Sequence, residues 1–171
     1  AIGALSLSGN TTASENVAIG RSALQSTTTG GNNVAVGKDA LLANTTGNTN
    51  VAIGTDAMTT NVAGDRNVAV GEGALQTLNP SGNVDTLNTA VGYNALLAAN
   101  TTAGNNTAIG YEALKTNTTG ANNIAAGLNS LYSNTTGGQN TAVGRNAMYN
   151  NTTAENNTAV GDEALKANTT G

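Results

Sequence analysis

A five-residue signature, Asn-[Val/Thr/Ile]-Ala-[Val/Ile/Ala]-Gly, first seen at Asn16-Val17-Ala18-Ile19-Gly20, begins again at Asn33, Asn50, Asn67, Asn88, Asn106, Asn123, Asn140 and Asn157. The steps between copies are 17, 17, 17, 21, 18, 17, 17 and 17 residues, and Ala1-Ile2-Gly3 reads as a truncated copy one period earlier. A fixed period of this length marks a repeat architecture, in which each unit buries its apolar face only by stacking on the next. The chain is therefore read as one repeat domain over residues 1–171, not as a globule around a central core. It opens inside one repeat and closes on Asn168-Thr169-Thr170-Gly171 inside another, so native caps and flanking domains are expected outside it.

Written from its Asn, the unit is N-(V/T)-A-(V/I)-G-x-x-A-(L/M)-x-x-N-T-T-G-x-x. Asn-Val-Ala-Val is a short alternating run closed by Gly, which predicts a β-strand with positions two and four on one face and the Ala on the other. Placing the larger side chains inward makes Val17, Ile19, Leu24 and their counterparts the expected core. Gly20 and its counterparts end the strand where positive φ or a close backbone is expected. The Asn-Thr-Thr segment holds turn formers and closes the coil, and Asn at fixed phase predicts amide side chains bonded from coil to coil. A helix is disfavoured, because runs such as Tyr111-Glu112-Ala113-Leu114-Lys115 are too short to be stable in water. The expected fold is all-β, a parallel β-solenoid of about ten coils of 17 residues. Two insertions, near 79–83 (Asn79 to Asn83) and at Ala98-Ala99, fall between the Leu column and the next signature Asn, so that edge is expected to be exposed.

Composition narrows the function. Six basic residues against ten acidic ones give a net charge of −4 and no basic stripe, which argues against nucleic acid and anionic membrane surfaces as partners. No apolar stretch is long enough to span a bilayer. With neither His nor Cys in the chain, and no glycine-aspartate calcium repeat, no metal or cofactor is expected.

Asn-x-Ala-[Val/Ile]-Gly at fixed phase, followed by a lone Ala, resembles the head repeats of trimeric autotransporter adhesins of the YadA type. The longer unit ALxxNTTGxxNTAVG is similar to repeats of bacterial surface proteins and phage tail-fibre-like proteins. The resemblance covers the whole chain and implies a left-handed parallel β-roll, usually three chains about one axis, on an extracellular or cell-surface fibre.

Three sets of residues are candidates for sites. Asn-Thr-Thr at Asn10, Asn44, Asn100, Asn117, Asn134, Asn151 and Asn168 matches the acceptor pattern for N-glycosylation, and equally a turn whose Asn and Thr cap backbone groups. The third signature position is Ala in every full copy, at Ala18, Ala35, Ala52, Ala69, Ala90, Ala108, Ala125, Ala142 and Ala159. On the outward side a strand position would drift among polar residues, so something must press against these methyls. That is either a second chain, making the column a subunit interface, or the coil's own opposite wall. The carboxylates Asp39, Asp56, Glu72, Glu112, Asp162 and Glu163 occupy the positions after Gly, where paired acids could process a polysaccharide as in a tail-spike enzyme. They alternate with Arg21, Lys38 and Arg145 in the same columns, as on a solvated, charge-mixed face.

The function expected from the sequence is a non-enzymatic rod or adhesin segment of an extracellular bacterial or phage fibre. It would act by homo-oligomerisation and by contact with glycans or a host or surface receptor. Ice binding through the Thr columns is the alternative from another class, weakened because neighbouring Thr residues of a strand point to opposite sides.

Overall fold

The computed structural model describes residues 1–80, 82–99 and 103–171. Every full signature forms a three-residue strand: β1 (Val17–Ile19), β2 (Val34–Val36), β3 (Val51–Ile53), β5 (Val68–Val70), β7 (Thr89–Val91), β8 (Thr107–Ile109), β9 (Ile124–Ala126), β10 (Thr141–Val143) and β11 (Thr158–Val160). Two further short strands, β4 (Gly64–Asp65) and β6 (Val84–Asp85), pair with each other. The nine signature strands make one parallel sheet in the order β1-β2-β3-β5-β7-β8-β9-β10-β11, each stacked on its predecessor in identical register. This is a parallel β-solenoid, and no helix occurs among the described residues. Nine strands bound eight full turns, slightly fewer than the ten expected coils. The truncated copy at the start lacks the Asn and Val of the signature, and Ile2 contributes only an isolated bridge to Ile19.

From β1 to β10 each signature strand stops at its Gly for both anticipated reasons, and β11 stops at Gly161 for the positive φ alone. Gly37 has φ +140°, and a Cβ there would lie 2.4 Å from the carbonyl oxygen of Gly54 in the next coil. Only a residue without a side chain lets adjacent coils close to the spacing of the ladder.

Beyond the Gly the backbone runs through a chain of tight turns, not a second strand. Ala23 N–H donates to Gly20 O (3.4 Å), Gln25 N–H to Ser22 O (3.2 Å) and Thr27 N–H to Leu24 O (3.3 Å). Ser22 (φ 58°) and Leu24 (φ 52°) are left-handed, the signature of type II turns with φ above zero at the third residue. The turns are also bonded to neighbouring coils, Ser22 N–H to Ala4 O at 2.9 Å and Leu24 N–H to Ala40 O at 3.0 Å. A left-handed Leu costs roughly 1–2 kcal/mol, yet it turns the side chain inward, and complete burial of Leu returns roughly 1.5–3 kcal/mol. Burial wins. Leu24, Leu41, Met58, Leu75, Leu96, Leu114, Leu131 and Met148 are all fully buried.

Because of these turns Ala23 and Leu24, although adjacent, are both fully buried. The turns also account for the strand register, which is the reverse of the one expected. Ala18, Ala35, Ala52, Ala69, Ala90, Ala108, Ala125 and Ala142 are completely buried and Ala159 nearly so, while Val17 is 45% and Ile19 40% exposed. The Ala column lies in one cluster with the Ala and Leu of the turn wall. Because the turn wall already sends Ala and Leu side chains inward, the space against the strand wall takes a methyl, and the larger members of the alternation are left outside.

The edge that carries the insertions is not uniformly exposed as expected, since Pro80 of the four-residue insertion and Ala99 of the one-residue insertion are buried. Gly64 and Asp65 pair with Val84 and Asp85 in a small parallel sheet, and Thr46 Oγ1 donates to Asn83 Oδ1 at 2.6 Å. Gly82, Asn83, Val84 and Asp85 are exposed.

Candidate functional surface

The Asn at the head of each signature is a structural fastener. Asn33 Oδ1 accepts the backbone N–H of Asn50 at 2.9 Å, and Asn33 Nδ2 donates to Gly47 O at 2.9 Å. The pattern recurs at Asn50, Asn88, Asn106, Asn123 and Asn140. Fully buried amides that use both their donor and acceptor capacity hold coil to coil and closing turn to strand.

The second Asn column, which carries the glycosylation pattern, is also inside. Asn44, Asn117, Asn134 and Asn151 are completely buried. Asn134 Nδ2 donates to Asn117 Oδ1 at 2.8 Å and Asn151 Nδ2 to Asn134 Oδ1 at 2.9 Å. The nitrogen that a glycan would occupy is committed to the ladder, so these four are corrected from candidate glycosylation sites to turn-closing residues. Asn10 is exposed and Asn168 partly so, and Asn100 lies outside the described residues. Thr residues that follow this column position serve the ladder as well. Thr28 N–H, Thr29 N–H and Gly30 N–H all converge on Thr45 O at 3.0 to 3.2 Å, joined by Thr28 Oγ1 at 3.1 Å. Such a nest of N–H groups is an anion-type cradle, here filled by the next coil's carbonyl.

The candidate subunit interface needs the same kind of correction. Ala18, Ala35, Ala52, Ala69, Ala90, Ala108, Ala125, Ala142 and Ala159 are buried within their own chain and offer nothing to a partner. Their invariance reflects the coil's own opposite wall. Outward, the strands present a pair of parallel columns. One is Val17, Val34, Val51, Val68, Thr89, Thr107, Ile124, Thr141 and Thr158; the other is Ile19, Val36, Ile53, Val70, Val91, Ile109, Ala126, Val143 and Val160. No charged side chain interrupts either column, and all members but Ala126 are β-branched. At about 4.8 Å per rung the face runs for about 40 Å. Tyr93, Tyr111 and Leu128, two residues beyond the second column in their coils, are exposed too. The two tyrosines stack with ring centroids 5.2 Å apart.

The carboxylates sit on the corner after Gly, and Asp39, Glu112, Asp162 and Glu163 are held by cations of their own or the adjoining coil, whereas Asp56 and Glu72 have no ion pair among the described residues. Asp39 lies 3.3 Å from Arg21 and 3.1 Å from Lys38, and Arg145 reaches Asp162 at 2.7 Å. Lys115 lies 2.6 Å from Glu112 and stands over the Tyr132 ring. The hydrogen bond to Glu112 pushes the Lys115 ammonium above its usual range. Lys166, 2.8 Å away, holds the Glu163 carboxyl below its ordinary value. Asp39, Asp56, Glu112 and Glu163 are all left-handed at the third position of a type II turn. The column they share also holds Ser22, Gly73, Asn94, Asn129 and Asn146, residue types that tolerate that conformation. The residue types thus carried a turn signal at a position that looks merely variable in the repeat.

Compared with protein-family models, curated proteins and solved structures, the chain matches none.

Proposed function

We propose that this chain is a rod segment of an extracellular fibre or adhesin, a structural and interaction module that acts by self-association into a trimer. The observation that carries this reading is the outward face of the sheet, where thirteen Val and Ile and four Thr side chains form two β-branched columns broken only at Ala126. Contiguous apolar patches beyond a few hundred Å² are rare on monomeric proteins and mark interaction surfaces. Covering the part of those Val and Ile side chains left in solvent is worth on the order of 10 kcal/mol per chain, comparable with the roughly 4–15 kcal/mol cost of association. A repeating face meets a repeating partner best when the partner is another copy, because every rung then finds the same environment. The likeness of Asn-x-Ala-Val-Gly repeats to adhesin heads supports three chains and a cell-surface setting, with a glycan or surface receptor as the fibre's outer partner.

Sedimentation of the segment tests the reading. Trimers are expected, and Val51→Glu with Val68→Glu is expected to give monomers that keep their β-sheet spectrum, since both positions face outward. Monomers of the unmodified chain at high concentration would overturn it.

A second reading, ice binding, gains from the corrected register. Position two carries Thr in four of the nine strands, Thr89, Thr107, Thr141 and Thr158, and these share one outward column, where neighbouring Thr residues had offered none. Thermal hysteresis and crystal shaping separate it from self-association, which covers the same face.

A further inference from the structure

We propose that copies of this chain associate in parallel and rung for rung about an axis along the stack, the position-two side chain of each strand packing against the position-four side chain of the same strand in its neighbour. The inference rests on the self-association reading above and adds which residues meet.

The observation is in β9, which reads Ile124-Ala125-Ala126. Position two is Val or Thr in every other strand, and position four is Val or Ile in every other strand. The one Ile of the first column and the one Ala of the second therefore fall on the same strand. Ile124 adds a carbon relative to Val, and Ala126 lacks two. Both face outward, Ile124 being 46% exposed, and Ala126 sits in its column between Ile109 and Val143. The deficit at Ala126 is thus a notch in the face. On a solvent-facing surface such changes are close to neutral, and neither side chain gains from the other. Against a packed neighbour they are coupled, because added and removed volume must balance where surfaces interdigitate.

Within one chain the two side chains are two residues apart along the strand, about 6.6–6.8 Å, so Ile124 does not fill its own strand's notch. A threefold axis along the stack turns each strand by 120° relative to the next and brings the position-two end of one copy against the position-four end of its neighbour, at the same rung. Ile124 then projects toward the notch left by the neighbour's Ala126. An axis perpendicular to the stack sets each position against its own kind, in a rung fixed by the overlap. Sharing a strand would then bring Ile124 and Ala126 no nearer.

The chain has no cysteine, which makes cross-linking clean. Val51→Cys with Ile53→Cys, oxidised with copper phenanthroline and run on a non-reducing denaturing gel, is expected to give a closed covalent trimer. Either substitution alone is expected to run as monomer. A closed covalent dimer would keep the pairing and overturn the three-chain reading. Dimers from Val51→Cys alone, or cross-links from Val51→Cys with Ile109→Cys but not with Ile53→Cys, would overturn the pairing. Should no cross-link form, Ala126→Ile decides: with Ile124 retained it is expected to weaken association at least tenfold, and Ile124→Val with Ala126→Val to restore it. Unchanged association of Ala126→Ile by a chain that sediments as an oligomer would refute the pairing, whereas a monomeric parent would refute self-association itself.

Discussion

Asn50 Oδ1 accepts the backbone N–H of Asn67 at 3.0 Å while Asn50 Nδ2 donates to Gly64 O at 2.8 Å, so one buried amide ties a strand to the coil above and to its own closing turn. Its Nδ2 also reaches Asn33 Oδ1 at 3.2 Å, and Asn67 Nδ2 reaches Asn50 Oδ1 at 3.1 Å. The residue that looked like a periodic marker in the sequence is the bracket on which each coil hangs. Its cost if lost is that of buried polar groups left without partners, about 1–3 kcal/mol each.

Asn50→Ala is therefore expected to destabilise the chain by about 2–5 kcal/mol in urea unfolding. Asn50→Asp keeps the acceptor for Asn67 N–H but has no N–H for Gly64 O and buries a charge. It should not rescue. Wild-type stability for either variant would remove the bracket role.

Thr27 stands in the second Asn column, where Asn44, Asn117 and Asn134 stand in other coils, and its buried hydroxyl oxygen has no hydrogen-bond partner. Thr27→Asn supplies the amide that links neighbours elsewhere in the column. A gain of about 1 kcal/mol is expected, the net worth of a typical added hydrogen bond, seen as a raised Tm. A lowered Tm would mean the coil at Thr27 cannot take the larger side chain.

Ala52→Glu with Ala69→Glu places carboxylates in a space that takes a methyl, within the cluster formed with Leu41, Met58 and Leu75. Loss of the β-sheet circular-dichroism signal is expected, since an unpaired buried charge costs more than the net stability of a folded chain. The paired contrast is Val51→Glu with Val68→Glu, one residue earlier in the same strands, which should keep the fold. Soluble, β-rich protein from the Ala variants would restore the opposite register.

Glu163 is held below its ordinary value, first by its hydrogen bond with Lys166. The stability it contributes is present above the unfolded carboxyl pKa of about 4.3 and is lost as pH falls through the depressed folded value. The pair is exposed, so the effect is small. Glu163→Gln should flatten the acid limb of a Tm-against-pH curve below about pH 4.3 and leave the neutral region nearly unchanged. An identical acid limb in the variant would assign the dependence to other carboxyls.

The period of 17 residues, the parallel strands at Asn-x-Ala-x-Gly, the Gly corners and the Asn ladder were all legible in the sequence, because each rests on a backbone demand that one or two residue types satisfy. A Cβ at Gly37 meets Gly54 O, and no side chain other than Asn bonds both Asn67 N–H and Gly64 O in that geometry. The direction of the strand alternation was not legible. Val17 and Ile19 are larger and more apolar than Ala18, and a strand considered alone would bury them. The outcome depended on the facing wall, where Leu24 and its counterparts accept left-handed backbone so that Leu and Ala both turn inward. Alternation along a strand states that two faces differ; the volume left by the wall across the coil decides which of them is inside.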